Sequence, residues 1–197
     1  MEPRLAHALR TLQKLLQDAS TALKSRIRFA LIGGLALSAW GVVRATADMD
    51  LLADSEPTPL RNLAFRDAMR KFLEARGCRA EWRAGDTDDP IPLLLRLTPA
   101  KSAHGPGADI IWAHKRWQRE ALSRTISLKV SRMEVCVVHP EDLVLLKLDA
   151  GGPQDLLDVE MLLSNPPPEL NLKRLKKKAI QLRLATELGK CLRHSRK

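Results

Sequence analysis

A short β-type run that ends in a double glycine is the feature that most restricts how this chain can fold. The run leads into Gly33-Gly34, an uncharged stretch follows, and a strand-like segment begins at Asp48-Met49-Asp50. This order predicts a strand, a short helix and a second strand within residues 29–52. Because successive side chains of a strand point to opposite faces, Asp48 and Asp50 are expected to emerge together on one face.

Two carboxylates side by side repel each other, and a divalent cation is the usual counter-charge near a protein core. The double glycine supplies a sharp turn at which backbone N–H groups can face a phosphate. Together these features predict a metal-dependent nucleotide site. The alternative is that Asp48 and Asp50 lie at the end of a sheet, in water, without a function.

Composition places the chain among soluble globular proteins, since 45% of its residues are apolar and 28% are charged. A length of 197 residues suits one domain, or a core domain with a helical extension. The three cysteines form no CxxC pair, which favours a reducing cytoplasmic location over a disulfide framework. The longest uncharged run, residues 30–43, is too short to span a bilayer. We therefore expect a cytoplasmic protein with no membrane contact.

Positive charge is concentrated near the C-terminus. The formal net charge is +10, and the segment from Lys173 to Lys197 holds ten Lys or Arg and one acid, Glu187, or +9. Such asymmetry favours a polyanionic partner, with nucleic acid ahead of membrane because no bulky aromatic residue accompanies the charge. The alternative is a solvated or disordered basic arm.

The rest of the pattern predicts an N-terminal α/β portion with a sheet, followed by a helical C-terminal portion. We place the boundary between residues 1–138 and 139–197. Helices are expected at 5–23, 60–76, 115–123, after Pro140, around 155–163 and from Glu169 onward. Further strands are expected at 79–84, 92–97, 108–112, 126–130 and 133–138. The segments 85–90 and 98–107 are expected to be a turn and a mobile loop.

A third carboxylate, Asp109, lies near the start of the predicted strand 108–112. With Asp48 and Asp50 it could hold two Mg²⁺ ions, one activating an attacking hydroxyl and the other neutralising the leaving pyrophosphate. Asp109 could instead cap a turn after Gly107.

The spacing of Gly33-Gly34 and Asp48-Met49-Asp50, with Asp109 later, resembles the nucleotidyltransferase superfamily typified by DNA polymerase β. The segment from Ile32 to Leu52 is closer still to the AbiEii-type toxin nucleotidyltransferases. In those proteins it resembles the pattern IGG-A-L…R-T-D-D-L. Residues 140–158 resemble a second pattern of that family, P-E-D-L…K-L-A…D-L-D, which includes Lys147.

The resemblance implies a five-stranded mixed sheet and a helical C-terminal half. It also implies that the enzyme transfers a nucleotide from an NTP to an acceptor, typically the 3′ end of tRNA. Such an enzyme acts as a toxin in a toxin–antitoxin or phage-defence system, with a possible cognate antitoxin protein. By position the resemblance implies metal ligands, triphosphate contacts and further catalytic residues. The metal ligands would be Asp48, Asp50 and Asp109. Gly33 and Gly34 would hold the triphosphate, and Lys147 would contact phosphate with Asp155 close by.

One position departs from the family pattern: many members have serine where this chain has Gly34. Phosphate binding would then depend on backbone N–H groups, helped by Ser38, Arg44 or Thr46. Arg44 could equally pair with Asp48 or Asp54. Three alternatives to the RNA-directed enzyme stay open, namely a protein nucleotidyltransferase, a small-molecule nucleotidyltransferase and a catalytically inactive fold that binds RNA.

Two residues implied by the resemblance also have ordinary explanations. Lys147 on a helix would ordinarily be a solvated surface residue. Asp155 and Asp158 could be acids favoured near a helix N-terminus.

Overall fold

The computed structural model describes residues 3–44, 46, 48–85, 91–99, 106–130 and 133–195. Within these ranges the chain forms helices and strands in alternating groups. In the N-terminal portion these are α1 (Pro3–Ala22), β1 (Arg26–Leu31), α2 (Gly33–Ala39), β2 (Met49–Glu56), α3 (Leu63–Glu74), β3 (Cys78–Ala84), β4 (Leu93–Pro99), β5 (Ala108–Trp112), α4 (Arg116–Leu122), β6 (Ile126–Val130) and β7 (Met133–Val137). The C-terminal helices are α5 (Pro140–Ala150), α6 (Pro153–Ser164), α7 (Leu172–Gln181) and α8 (Ala185–His194).

The strands form one mixed sheet in the order β3-β4-β5-β2-β1-β7-β6. β2 runs parallel to β5, and β1 runs parallel to β7, whereas the other neighbouring pairs are antiparallel. The α/β prediction with a mixed sheet is therefore confirmed. The five strands implied by the resemblance are too few, because β3 and β6 extend the sheet at both edges.

Helices cover the two faces of the sheet differently. Trp82 of β3 donates its indole N–H to the carbonyl of Arg66 in α3 at 3.0 Å, and the Trp82 and Phe65 rings contact that of Trp112. This face therefore packs on α3, and α1 contacts α3 and β1. The opposite face carries Asp50. On the central strands, α2 and α4 contact β2, and both helices also contact α5.

The C-terminal helices pack on α5 and α6 through a short apolar row. Leu175 and Ala179 of α7, and Leu188 and Cys191 of α8, are buried. The single predicted last helix is wrong, since it breaks into α7 and α8 at Arg183, whose φ is +61°. The basic segment is consequently folded against the protein up to residue 195, and not a free arm.

Two predicted segments cannot be compared, because residues 86–90 and 100–105 lie outside the described residues. No helix in the described part of the chain is long and apolar enough to cross a membrane. The proposed boundary between residues 138 and 139 stays a prediction.

Candidate active site

Two of the predicted carboxylates are direct neighbours across the sheet. Asp50 of β2 and Asp109 of β5 are register partners in the parallel pair, so their side chains point to the same face. Asp48 precedes β2 by one residue and is exposed. The strand register thus brings Asp50 and Asp109 together, and Asp48 lies next to them in sequence, just before β2.

The environment of Asp50 disfavours a negative charge. Burial, followed by the neighbouring charges of Asp109 and Asp48, raises the pKa of Asp50 to about 6. Lys147 and Arg44 lower this pKa, but they do not offset the other effects. The site therefore has more negative charge than its own cations neutralise, and a bound cation would remove that excess.

Asp109 has a partner that sequence reasoning missed. Arg96 of β4 donates from Nε and Nη2 to the two carboxylate oxygens of Asp109, at 2.8 and 2.5 Å. The pair raises the pKa of Arg96 above its ordinary value, first through the hydrogen bond to Asp109. The available signal was a lone arginine at a half-buried position within the apolar strand Leu93–Pro99. Asp109 lies within β5, so it does not cap a turn after Gly107.

Within the described residues, no three His, Cys, Asp or Glu side chains are arranged as ready metal ligands. Asp109 faces Arg96, and this contact accounts for its absence from such a group. Asp48 and Asp50 remain as neighbouring carboxylates of the kind that Mg²⁺ prefers.

Gly33 lets the chain approach Asp50 closely. Its φ is +62°, and a Cβ built on it would lie 2.0 Å from Oδ2 of Asp50. The closeness follows from the end of β1, where the N–H of Ile32 donates to the carbonyl of Asp50 at 2.9 Å. A side chain at position 33 would therefore displace the carboxylate.

Gly34 faces Thr46, and this contact explains the missing serine. A Cβ built on Gly34 would lie 2.9 Å from both Cβ and Oγ1 of Thr46. The threonine hydroxyl thus lies where a side chain of residue 34 would begin, and it donates to the carbonyl of Asp48 at 3.3 Å. Ser38 donates instead to the carbonyl of Gly34, within its own helix, at 3.1 Å.

Arg44, Lys147 and Asp158 form a buried ionic cluster between the two portions of the chain. Oδ2 of Asp158 accepts from Nη1 of Arg44 and from Nζ of Lys147, each at 2.6 Å. Lys147 also donates to Oδ1 of Asp155 at 3.0 Å. Lys147 is 7% exposed and Asp158 0%, so neither is a solvated surface residue. The expected pairing of Arg44 with Asp48 or Asp54 is wrong.

Asp54 pairs instead with its register partner Arg28, at 2.6 Å, on β1. Arg44 lies in the loop that leads to β2 and reaches across to α6, which sequence spacing could not reveal.

A cavity of about 260 Å³ joins these groups. Its polar lining includes Asp50, Arg44, Lys147 and Asp155 beside Gly33 and Gly34, and the rest of the lining is largely apolar. Those apolar residues are Ile32, Leu52, Ile91, Ile111, Leu143 and Leu146.

Gln118 and Asp149, which sequence reasoning did not identify, also line the cavity. Oε1 of Gln118 accepts from the N–H groups of His114 and Lys115, and Nζ of Lys115 holds both carboxylate oxygens of Asp149. Both polar side chains are therefore fixed in position beside the cavity.

The basic segment divides into structural and exposed cations. Arg174 and Lys178 of α7 pair with the buried acids Glu141 and Asp142 of α5. The exposed cations include Lys173 and the lysines three and four residues after it, Lys176 and Lys177. This spacing places both of them next to Lys173 on the surface of α7.

No protein-family model matches the chain, and no curated protein matches it. Among solved structures, an antigenic nucleotidyltransferase-like protein from Paracoccidioides brasiliensis is 16% identical. Its alignment covers 94% of this chain and 92% of that protein, with a TM-score of 0.47. The structure of ANT(2″)-Ia in complex with adenylyl-2″-tobramycin is 13% identical. That alignment covers 91% of this chain and 97% of that protein, with a TM-score of 0.46.

Terminal uridylyl transferase 4 from Trypanosoma brucei with bound GTP is 13% identical, with a TM-score of 0.37. Its alignment covers 82% of this chain and 53% of that protein. The first of these proteins is named as nucleotidyltransferase-like and the last as a terminal uridylyl transferase. Similarity at this level does not assign an activity, which has to be argued from the chain's own side chains.

Proposed function

We propose that this chain is a Mg²⁺-dependent nucleotidyltransferase, an enzyme that transfers a nucleotide from an NTP to a nucleic-acid hydroxyl and releases pyrophosphate. One observation carries the proposal. The register of β2 and β5 sets Asp50 beside Asp109, and Asp50 lines the same cavity as Gly33 and Lys147. Paired carboxylates, a glycine turn and cations around one cavity are what nucleotidyl transfer requires.

Mg²⁺ fits the chemistry of the carboxylates. Their hard oxygen atoms suit this ion, and a cation would stabilise the charged form of Asp50, which burial and then the charges of Asp109 and Asp48 disfavour. Asp48 and Asp50 would hold it, and Asp109 would join them once its side chain leaves Arg96. Bound there, Mg²⁺ would stabilise the charge that develops on the transferred phosphoryl group and on pyrophosphate.

The acid–base step falls to Asp50. In the transfer, the acceptor oxygen forms a bond to the α-phosphorus while the bond from that phosphorus to pyrophosphate breaks. The proton of the acceptor hydroxyl has to leave, and an ionised carboxylate beside the reacting atoms can accept it. Asp109 is the other candidate base, but Arg96 occupies both of its oxygens.

The donor nucleotide is proposed to bind in the cavity described above. Lys147 and Arg44 would neutralise the triphosphate near the Gly33-Gly34 backbone, while Asp155 and Asp158 hold these cations in place. The apolar part of the cavity lining would accept the base or sugar of the nucleotide. A cavity of about 260 Å³ is smaller than the roughly 300–1,000 Å³ of complete small-molecule sites. Part of the NTP would therefore lie outside it, toward Asp48.

The proposed acceptor is the 3′ end of tRNA or of another RNA. The exposed lysines of α7, Lys173, Lys176 and Lys177, support a polyanionic acceptor. The proposed role, a toxin of a toxin–antitoxin or phage-defence system with a cognate antitoxin, is supported only by the AbiEii-like pattern in residues 32–52 and 140–158. A cytoplasmic location accords with three free cysteines.

Transfer of radiolabel from α-³²P-NTPs to total tRNA in the presence of Mg²⁺ tests the proposal. We expect labelled RNA with the wild-type chain and at least a thousandfold less with Asp48→Ala, because several kcal/mol of transition-state stabilisation is lost. Asp18→Ala removes an exposed carboxylate of α1 and is the matched control. Full activity of Asp48→Ala would contradict the proposal, whereas label on proteins or small molecules would correct only the acceptor.

A catalytically inactive fold that binds RNA is the second candidate, and one observation favours it. Asp109 is already neutralised by Arg96, as expected of a site that no longer holds a metal. Calorimetry separates the two candidates, because an inactive fold should show no Mg²⁺-dependent binding of any NTP. The enzyme should bind at least one of them only when Mg²⁺ is present.

A further inference from the structure

From Asp50 and Asp109, charged side chains continue across the sheet toward its edge strand. Register pairing joins Asp50 to Asp109, Asp109 to Arg96, and Arg96 to Glu81 on the edge strand β3. Arg79 and Arg83 flank Glu81 at alternate positions of β3, so they share its face. The three arginines therefore lie on the same face of the sheet as the candidate active site.

This part of the face is accessible. The helix that packs on β3, α3, lies on the other side, as the hydrogen bond from Trp82 to Arg66 shows. Arg79 and Arg83 are exposed, and with Glu81, Arg96 and Thr98 they line a cleft of about 250 Å³. We call this cleft the arginine cleft.

Two of the three arginines that line the cleft, Arg79 and Arg83, have weak partners or none among the described residues. Arg79 forms no ion pair with any residue that the structure describes, and Arg83 pairs with Glu81 at 3.2 Å. Both members of the Arg83–Glu81 pair are about half exposed, and such pairs contribute little stability. A phosphate can therefore take the guanidinium of Arg83 without a large loss.

The strand order places the cleft beyond Asp109, on the side of the site away from β1. Asp50 on β2 lies between β1, which leads into Gly33, and β5, which carries Asp109. β3 lies two strands beyond β5, or about 10 Å at the usual strand spacing. An acceptor that approaches Asp109 across β3 and β4 passes over Arg79, Arg83 and Arg96.

We propose that Arg79 and Arg83 bind backbone phosphates of the single-stranded segment that carries the reacting hydroxyl of an RNA acceptor. This inference rests on the proposed function for the identity of the reaction, but the binding itself needs no catalysis. Guanidinium groups suit the role because their planar forks match phosphate oxygens. A polycationic small-molecule acceptor would be repelled by the same surface.

A different explanation of these arginines is that they protect an edge strand. Charged side chains on an edge strand prevent pairing with a second copy of the sheet. On that explanation, removing the arginines would promote self-association and leave RNA affinity unchanged. The two explanations therefore predict different results for one variant.

The test measures binding of a fluorescein-labelled, mixed-sequence 12-nucleotide RNA by anisotropy, without NTP, over a series of KCl concentrations. The variant is Arg79→Gln/Arg83→Gln. The control is Arg10→Gln/Arg61→Gln, which removes two exposed arginines of α1 and of the segment before α3 and so makes the same change in net charge. Arg79→Lys/Arg83→Lys tests for rescue, since it keeps the positive charge.

Loss of two phosphate contacts should reduce the slope of log affinity against log salt by about 1.4. At 0.1 M salt the affinity for the RNA should then be roughly 20-fold lower. The control variant Arg10→Gln/Arg61→Gln should change the slope and the affinity far less. The variant Arg79→Lys/Arg83→Lys should recover part of the lost affinity. Equal losses in the variant and the control, or an unchanged slope in the variant, would overturn the proposal.

Failure of this inference is distinguishable from failure of the proposed function. If Asp48→Ala abolishes labelling of an acceptor while Arg79→Gln/Arg83→Gln binds RNA normally, the enzyme stands and the arginine cleft is not its acceptor site. If no NTP is transferred but the double variant alone loses RNA binding, the cleft stands as an RNA site without the chemistry.

Discussion

Arg96 binds both carboxylate oxygens of Asp109, its register partner on the neighbouring strand, and so neutralises the acid that lies beside Asp50. The side chain of Arg96 is 40% exposed and that of Asp109 21%, so the pair can open without burying an unpaired charge. A cation that uses Asp109 has to compete with this guanidinium.

Replacement of Arg96 by glutamine should strengthen Mg²⁺ binding by roughly fivefold, the equivalent of about 1 kcal/mol for a partly exposed ion pair. The reason is that a positive charge is removed beside three carboxylates. Calorimetric titration with Mg²⁺ measures the effect. Arg28→Gln is the control, because it breaks a cross-strand pair of similar exposure with Asp54, and it should leave Mg²⁺ affinity unchanged. Weaker binding in Arg96→Gln would show that Arg96 positions Asp109 for the metal.

Replacement of Asp50 by asparagine should stabilise the metal-free protein at neutral pH. The native pKa of about 6 exceeds the unfolded value of 3.8, so the native state binds more protons between these values. The free energy of unfolding therefore falls as pH rises from about 4 to 6, and the ionised carboxylate costs about 2–3 kcal/mol above that range. Asp50→Asn should gain this amount at pH 7.5 and almost nothing at pH 4 or below.

Urea unfolding in EDTA at both pH values measures the difference. Asp54→Asn, on the same strand and face, should instead lose stability at pH 7.5, because Arg28 loses its partner. A gain for Asp50→Asn that is the same at both pH values would contradict the assigned pKa.

The contact between Gly34 and Thr46 predicts a coupled pair of substitutions. Gly34→Ser alone should cost about 1–3 kcal/mol, because its Cβ would lie 2.9 Å from the threonine side chain. Adding Thr46→Ala, which removes Oγ1 and Cγ2 but keeps Cβ, should recover part of that loss, with a coupling energy of at least about 0.5 kcal/mol from urea unfolding. Gly189→Ser on α8 is the control, and it should combine additively with Thr46→Ala. An additive result at Gly34 would exclude the contact as the reason for glycine there.

Local pattern predicted the strand that carries Asp50 and the glycine turn before it, and the structure has β2 from Met49 and α2 from Gly33. The partner of Asp109 could not be predicted in the same way, since it depends on the register of β4 against β5. The pairing of Arg44 with Asp158 joins residues 114 positions apart. Such pairs follow from tertiary packing, which a single sequence does not contain.

The C-terminal segment shows the same limit. Its charge favoured a polyanionic partner, with a solvated or disordered arm as the alternative, and the buried row of Leu175, Ala179, Leu188 and Cys191 holds it on α5 and α6. Deletion from residue 173 would therefore remove part of the core, so loss of RNA binding in that truncation would have two explanations. Lys173→Gln/Lys176→Gln/Lys177→Gln changes only exposed side chains of α7. It should reduce RNA affinity and the salt slope, measured by anisotropy, while the unfolding free energy stays within about 0.5 kcal/mol.

Replacement of Lys147 by methionine should destabilise the protein by about 3 kcal/mol, because Asp158 is fully buried and would keep only Arg44 and Gln154 as partners. Lys71→Met removes an exposed lysine paired with Asp67 and should change stability by less than about 0.5 kcal/mol. Chemical denaturation compares the two variants.

The double variant Lys147→Met/Asp158→Leu separates a buried charge from a lost contact. It removes the uncompensated carboxylate, so it should be more stable than Lys147→Met alone, although Arg44 then loses its partner. Neither variant should bind NTP, since both lack the lysine proposed to contact the triphosphate. If Lys147→Met were as stable as the wild-type chain and still bound NTP, the buried cluster would have neither the structural nor the functional role assigned to it.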